Sequence, residues 1–153
     1  MNDDNIVKVW RLSAGEEAIA LAAVEKLIPE GEREGCVPTI GHLQELLASQ
    51  TNIVIVATAN AVPIGFLSAY VMPRLDRDEK MAYFYEIEVC PQFRRQGIAT
   101  AMVNELKHCL RSQGVSSLWV GTESNNTPAL SLYQSTGAVR EPELIHELWY
   151  NNI

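Results

Sequence analysis

The sequence predicts a mixed α/β domain, and three observations carry that prediction. Short β-branched runs alternate with longer stretches of helical periodicity along the 153 residues. Asn60-Ala61 can turn the chain between two of the runs, as in an antiparallel hairpin. The later runs alternate strand, helix, strand, which calls for one crossover connection. With 47% hydrophobic residues the chain can build one core, so a single domain is expected over 1–153.

Taken in order, Ile6 to Arg11 alternates as a first strand does. Ser13-Ala14-Gly15-Glu16 has the Ser-to-Glu spacing of a capping box, and a helix follows until Pro29. The segment from Glu30 to Pro38 contains Gly31, Gly35 and four charges and reads as a loop, the kind of segment that often faces substrate. Thr39 caps a second helix through Leu46 and Leu47. Ile53 to Thr58 and Ile64 to Met72 form the hairpin, and Ala82 to Val89 makes a fourth strand after the charged break from Pro73 to Lys80. Ala99, Met102, Val103, Leu106 and Leu110 recur at helical spacing until Gly114. Ser117 to Thr122 is a strand, Asn126 to Gln134 a short helix with Pro128 near its start, and Ala138 to Glu141 and Ile145 to Tyr150 supply two last strands.

Composition excludes several function classes. No run approaches the roughly 20 apolar residues that span a bilayer. The start, Met1-Asn2-Asp3-Asp4-Asn5, is acidic where a signal peptide is basic, so a soluble cytoplasmic protein with no membrane partner is expected. Cys36, Cys90 and Cys109 are widely spaced and lack metal-binding or redox spacing, which favours reduced structural thiols and no metal. The net charge of −7 argues against nucleic acid and mildly favours a cationic partner.

The most informative stretch is Arg94-Arg95-Gln96-Gly97-Ile98-Ala99, between a strand and the start of a long helix. A glycine at 97 lets the backbone turn tightly beside a ligand, and the first helical amides lack intrahelical acceptors and point toward an anion. Arg94 and Arg95 add charge. An exposed basic turn that merely caps the helix is the competing reading.

Two further segments change that balance. The run Tyr83-Phe84-Tyr85-Glu86-Ile87-Glu88-Val89 precedes the loop, and Asn126-x-x-Ala129-x-x-Leu132-Tyr133-x-x-x-Gly137 follows it. Together with the loop they resemble the GNAT N-acetyltransferases, and within them are most similar to the aminoglycoside 3-N-acetyltransferases; Ser68 to Pro73 supports the same comparison. Ala138 stands where the family often has an aromatic residue. The resemblance implies an α/β GNAT acyltransferase fold, a mixed central sheet of about seven strands flanked by about four helices. It also implies acetyl-CoA as co-substrate and antibiotic resistance by acetylation of a 3-amino group.

Carried onto this chain, the resemblance rests the pyrophosphate on amides of Gln96, Gly97, Ile98 and Ala99, with Arg94, Arg95 and Thr100 nearby. Ile87 and Val89 would offer backbone hydrogen bonds to the pantetheine, one of which polarises the thioester carbonyl. Asn126 and Ala129 would line the channel, although Asn126 also fits as a helix cap. An alkylammonium with a pKa of about 10 must lose a proton before it attacks. Glu86 matches the acidic position of the aminoglycoside enzymes and is the expected base, directly or through water. Glu86 and Glu88 share one strand face if pairing is regular, whereas a bulge would change that. Glu88 and Glu123 are expected to hold further ammonium groups, with His146 as an alternative base. Tyr133 occupies the family tyrosine position, where a phenol protonates the leaving thiolate. The expected partner is a cationic small-molecule amine, with a homodimer as a possible assembly. A peptide amine or polyamine is the alternative acceptor, and a non-catalytic acyl-CoA-binding module the alternative class.

Overall fold

The computed structural model describes residues 6–142 and 148–153. Their element order is β1 (Val7–Arg11), α1 (Glu17–Leu27), α2 (Ile40–Ala48), β2 (Asn52–Ala59), β3 (Val62–Pro73), β4 (Lys80–Val89), a 3-10 turn at Pro91–Phe93, α3 (Ile98–Ser112), β5 (Val115–Val120) and α4 (Thr127–Ser135). The strands pair in chain order β1-β2-β3-β4-β5. The first three pairings are antiparallel, while β4 and β5 run parallel, so α3 is the crossover.

Both faces of the central strands are covered, which explains why β2 reads as an unbroken apolar run. Ile53, Ile55 and Ala57 face one layer with Leu67, Ala69, Ala82 and Phe84, against Met102, Val103, Leu106 and Leu110 of α3. Val54, Val56 and Phe66 face the other, against Ala20 and Ala23 of α1 and Leu43 and Leu47 of α2. Gly65 lets α3 come close, because a Cβ there would meet the carbonyl of Glu88 and the Met102 methyl, both at 3.0 Å. The β2–β3 hairpin turns on Asn60 and Ala61, with φ of 49° and 66°. That is the left-handed pair a two-residue hairpin turn requires.

The helix starts follow the expected chemistry with one adjustment. The Thr39 side chain accepts from the amide of His42 at 3.2 Å. At α1 the reciprocal half of the box forms: the Glu16 carboxylate accepts from the Ser13 amide at 2.8 Å and from the Ser13 hydroxyl at 3.0 Å. It also accepts from the Trp10 indole at 2.9 Å, and the helix begins one residue later.

The strand count is corrected from about seven to five among the described residues. Ala138 to Glu141 forms no strand. Its one β-branched residue, Val139, is 88% exposed, so pairing there would bury little to offset the ordering of the chain. Of the segment Ile145 to Tyr150, residues 145–147 lie outside the described residues and 148–150 form no strand. Among the described residues no helix is long and apolar enough to cross a membrane.

Candidate active site

The site begins with a change of phase in β4. Ser68 pairs with Glu86 and Ala69 with Phe84, so Tyr85 is an extra residue bulged out of the ladder. Before the bulge, Ala82 and Phe84 face the α3 layer; after it, Ile87 and Val89 do. Glu86 and Glu88 are thereby turned to the α1/α2 side of the sheet, and they do share a face. An unbulged strand would have put both carboxylates against α3.

The bulge coincides with the end of parallel pairing. The β4–β5 ladder stops at Phe84 and Val120, and the remainder of β4 forms one wall of a cavity of ≈ 650 Å³. Ile87, Glu88 and Val89 form that wall, Arg94, Arg95, Gly97, Ile98, Ala99 and Thr100 close one end, and α4 supplies the opposite side. Asn126 and Ala129 line it as expected, and the Asn126 side chain also caps α4 by accepting from the Ala129 amide at 3.2 Å.

Backbone geometry forms the closed end. Arg95 and Gly97 have φ of 62° and 80°, and Gly97 is the N-cap of α3. A Cβ at Gly97 would meet nothing within 4 Å, so this point borders open space. The amides of Ile98, Ala99 and Thr100 begin the helix without intrahelical partners. Arg94 holds the loop in place by donating from Nε to the Val89 carbonyl at 2.9 Å, and its Nη2 lies 3.9 Å from Glu88. Gln96 donates to the Gln92 carbonyl at 3.0 Å and is not among the residues that line the cavity. These features suit a phosphate-bearing ligand with a slender apolar arm: positive charge and free amides at one end, Ile87, Phe93 and Leu132 along the way.

Two titratable groups stand on opposite faces of the sheet around the bulge, and neither Glu86 nor Tyr133 is among the residues that line the cavity. Glu86 is partly buried, and burial pushes its carboxyl above the ordinary range against the opposing pull of the Ser68 hydroxyl, which donates to it at 3.0 Å. Burial likewise raises Glu88, an effect opposed by Arg94 and reinforced by the charges of Glu32 and Glu86. Glu32 thus brings the acidic loop to this side. Tyr133, from α4, packs edge-on against Phe84 with ring centroids 5.5 Å apart, and burial raises its phenol. Lys107 of α3 donates to the Thr136 carbonyl at 2.8 Å and fixes the end of the helix that carries Tyr133. Glu123 is exposed beyond β5 and is not among the residues that line the cavity. His146 lies outside the described residues.

Several lining residues escape the sequence reading. Pro128, Ser131, Leu132 and Ser135 share the cavity face of α4 with Ala129, and their spacing of three and four is the signal that marks them. Ser68 has no local signal as the Glu86 partner, since the two meet only through sheet register. No group of three or more metal-binding side chains occurs among the described residues.

The architecture is thus a strand that parts from its parallel neighbour beside an anion-receptive helix start. The chain belongs to the acetyltransferase (GNAT) family, whose model matches residues 25–138. An aminoglycoside acetyltransferase from an uncultured soil metagenomic sample, solved in complex with trehalose, superposes with a TM-score of 0.84 at 25% identity, covering 96% of this chain and 97% of that one. The aminoglycoside N-acetyltransferase AAC(6')-Iy, solved in complex with CoA, has a TM-score of 0.75 at 17% identity over 97% of this chain and 98% of its own, a likeness of fold. In sequence, the ribosomal protein bS18-alanine N-acetyltransferase of Escherichia coli K12 is 33% identical over 73 residues, 48% of each chain. The chain thus spans about half the length of the curated relatives it matches first.

Proposed function

We propose that this chain is a single-domain cytoplasmic enzyme that moves an acetyl group from acetyl-CoA to a primary amine, the 3-amino group of an aminoglycoside. The observation that carries the reading is the gap beside the end of β4 with an anion-receptive helix start at one end; Glu86 and Tyr133, on opposite faces of the sheet, are the groups this reading assigns to the proton chemistry. The cradle of Arg94, Arg95, Gly97, Ile98, Ala99 and Thr100 would hold the pyrophosphate, with the Gln96 amide completing it. Ile87, Val89, Asn126 and Ala129 would line the arm, and a β4 amide would donate to the thioester carbonyl as charge develops on its oxygen.

Glu86 takes the proton from the acceptor ammonium, directly or through one water. The freed amine attacks the carbonyl carbon and a C–N bond forms; as the C–S bond breaks, Tyr133 gives its proton to the departing sulfur, and the second proton shed by the nitrogen as the amide forms passes through water to restore the phenol. A carboxyl raised by burial is the stronger base, and a phenol raised by burial stays protonated at neutral pH; both directions suit these roles. Glu88, backed by Glu32, would hold a second ammonium group, with Glu123 as an outer contact.

The 25%-identical soil enzyme supports the aminoglycoside acceptor. The bS18-alanine relative supports the second reading, in which the amine is the terminus of a peptide. A panel of aminoglycosides, polyamines and alanine-terminated peptides, assayed by thiol release from acetyl-CoA, separates them. Acetylated aminoglycoside with the new amide at the 3-amino position in the NMR spectrum is expected. Turnover of the peptide alone transfers the acceptor role to it, and binding of acetyl-CoA without turnover of any amine favours the non-catalytic module.

A further inference from the structure

The α1/α2 side of the sheet carries an aromatic row that neither the core nor the proton chemistry uses. Register places Tyr70 of β3 opposite Tyr83 of β4, and Tyr83 opposite Trp119 of β5. Tyr83 and Trp119 stack with centroids 4.0 Å apart and planes 22° from parallel. Tyr85, bulged from the ladder, stands edge-on to both Tyr70 and Tyr83 at 5.9 Å. These rings continue the face on which Ser68 and Glu86 sit, and the charge of Glu86 acts on the Tyr70 phenol. Helices α1 and α2 pack against β2 and β3, while Tyr85 remains 51% and Trp119 46% exposed.

We propose that this row is a saccharide shelf that seats an aminosugar ring of the acceptor while Glu86 and Glu88 engage its ammonium groups, so that it selects ring-borne amines over linear ones. The inference rests on the aminoglycoside reading. Half-exposed aromatic rings offer their negative faces to the C–H groups of a pyranose and to ammonium groups within about 6 Å of a ring centre. Carboxylates alone bind any polyamine, because point charges do not distinguish a rigid scaffold from a flexible chain. A shelf adds that distinction, since a preorganised ring meets it with little loss of freedom. The charge is complementary as well: Glu86 acts on the Tyr70 phenol, and Glu86 and Glu32 both act on Glu88 further along the strand.

The test compares Tyr85→Ala and Trp119→Ala with Tyr85→Phe and Trp119→Phe, using gentamicin and spermidine as acceptors. Each alanine variant is expected to raise the KM for gentamicin about five- to tenfold, in keeping with the loss of one such contact. The KM for acetyl-CoA and that for spermidine should change little, and the phenylalanine variants should recover the gentamicin KM. Equal KM values for gentamicin in wild type and folded alanine variants overturn the shelf, as does a parallel rise for spermidine. If wild type acetylates no aminoglycoside, the acceptor reading itself has failed, which is a separate result. Should the Trp119→Ala protein fail to fold, Tyr85→Ala decides, because its ring lies outside the ladder and 51% exposed.

Discussion

Glu86 is held in its less comfortable state. Because the folded protein keeps the Glu86 proton more tightly than the unfolded chain, its contribution to stability is full below the unfolded carboxyl pKa of about 4.3 and is lost as pH rises through the raised folded value. Glu86→Gln preserves the acceptor for the Ser68 hydroxyl and removes the buried charge. Its Tm at pH 7 should therefore exceed that of wild type, with the difference shrinking in acid, while kcat falls and the acid limb of the pH profile disappears. Thermal melts and a pH–rate profile check both; a full-rate variant assigns the base elsewhere. Tyr133→Phe keeps the ring against Phe84 and removes only the hydroxyl. It should lower kcat by about 10²-fold with little change in the KM for acetyl-CoA if the phenol is the acid. At this scale the sequence is readable where a residue's place follows from type and motif, as for Asn126, which caps α4 and lines the cavity. It is silent about Ser68, whose partner comes from sheet register.

Among the elements, the bulge in β4 enters the sequence reading only as a contingency, because a strand's period of two says nothing about where an extra residue is inserted. A clue does exist. The core-facing residues switch from even to odd positions between Phe84 and Ile87, and only an inserted residue keeps both sets on one layer. The cradle is more legible, since Gly97 and the apolar periodicity of α3 mark a helix start without context. Its φ of 80° changes how it should be tested, because Gly97→Val strains the backbone whatever space surrounds it. Thr100→Glu is the cleaner variant. Position 100 is the third residue of α3, where a glutamate suits both the capping pattern and the helix dipole. The same carboxylate would repel a pyrophosphate. Calorimetry should show acetyl-CoA affinity reduced by about tenfold or more with Tm unchanged or higher; undiminished affinity places the phosphates elsewhere.

For the whole molecule, order and charge matter more than any one motif. Five strands and four helices are legible because each has its own period and punctuation, whereas Ala138 to Glu141, with Val139 as its one β-branched residue, offers too little to bury and forms no strand. The charge of −7 is likewise a matter of composition, but only the fold concentrates part of it beside the gap, through Glu86, Glu88 and Glu32. A cationic acceptor approaching that face gains from the summed field, and the carboxylates are exposed enough for salt to screen them. Raising ionic strength from about 0.05 M to about 0.5 M should increase the acceptor KM by about threefold or more while kcat changes less. Glu88→Gln should raise the KM at low salt and flatten its salt dependence, because one of the screened charges is gone. The KM for acetyl-CoA provides the internal contrast: Arg94 and Arg95 attract an anion, so salt weakens that binding too, but Glu88→Gln frees Arg94 from its carboxylate neighbour at 3.9 Å and should lower that KM. Initial rates across a salt series for both substrates test the two directions at once. Parallel changes in both KM values in the Glu88→Gln enzyme would mean that Glu88 shapes the site without binding the acceptor.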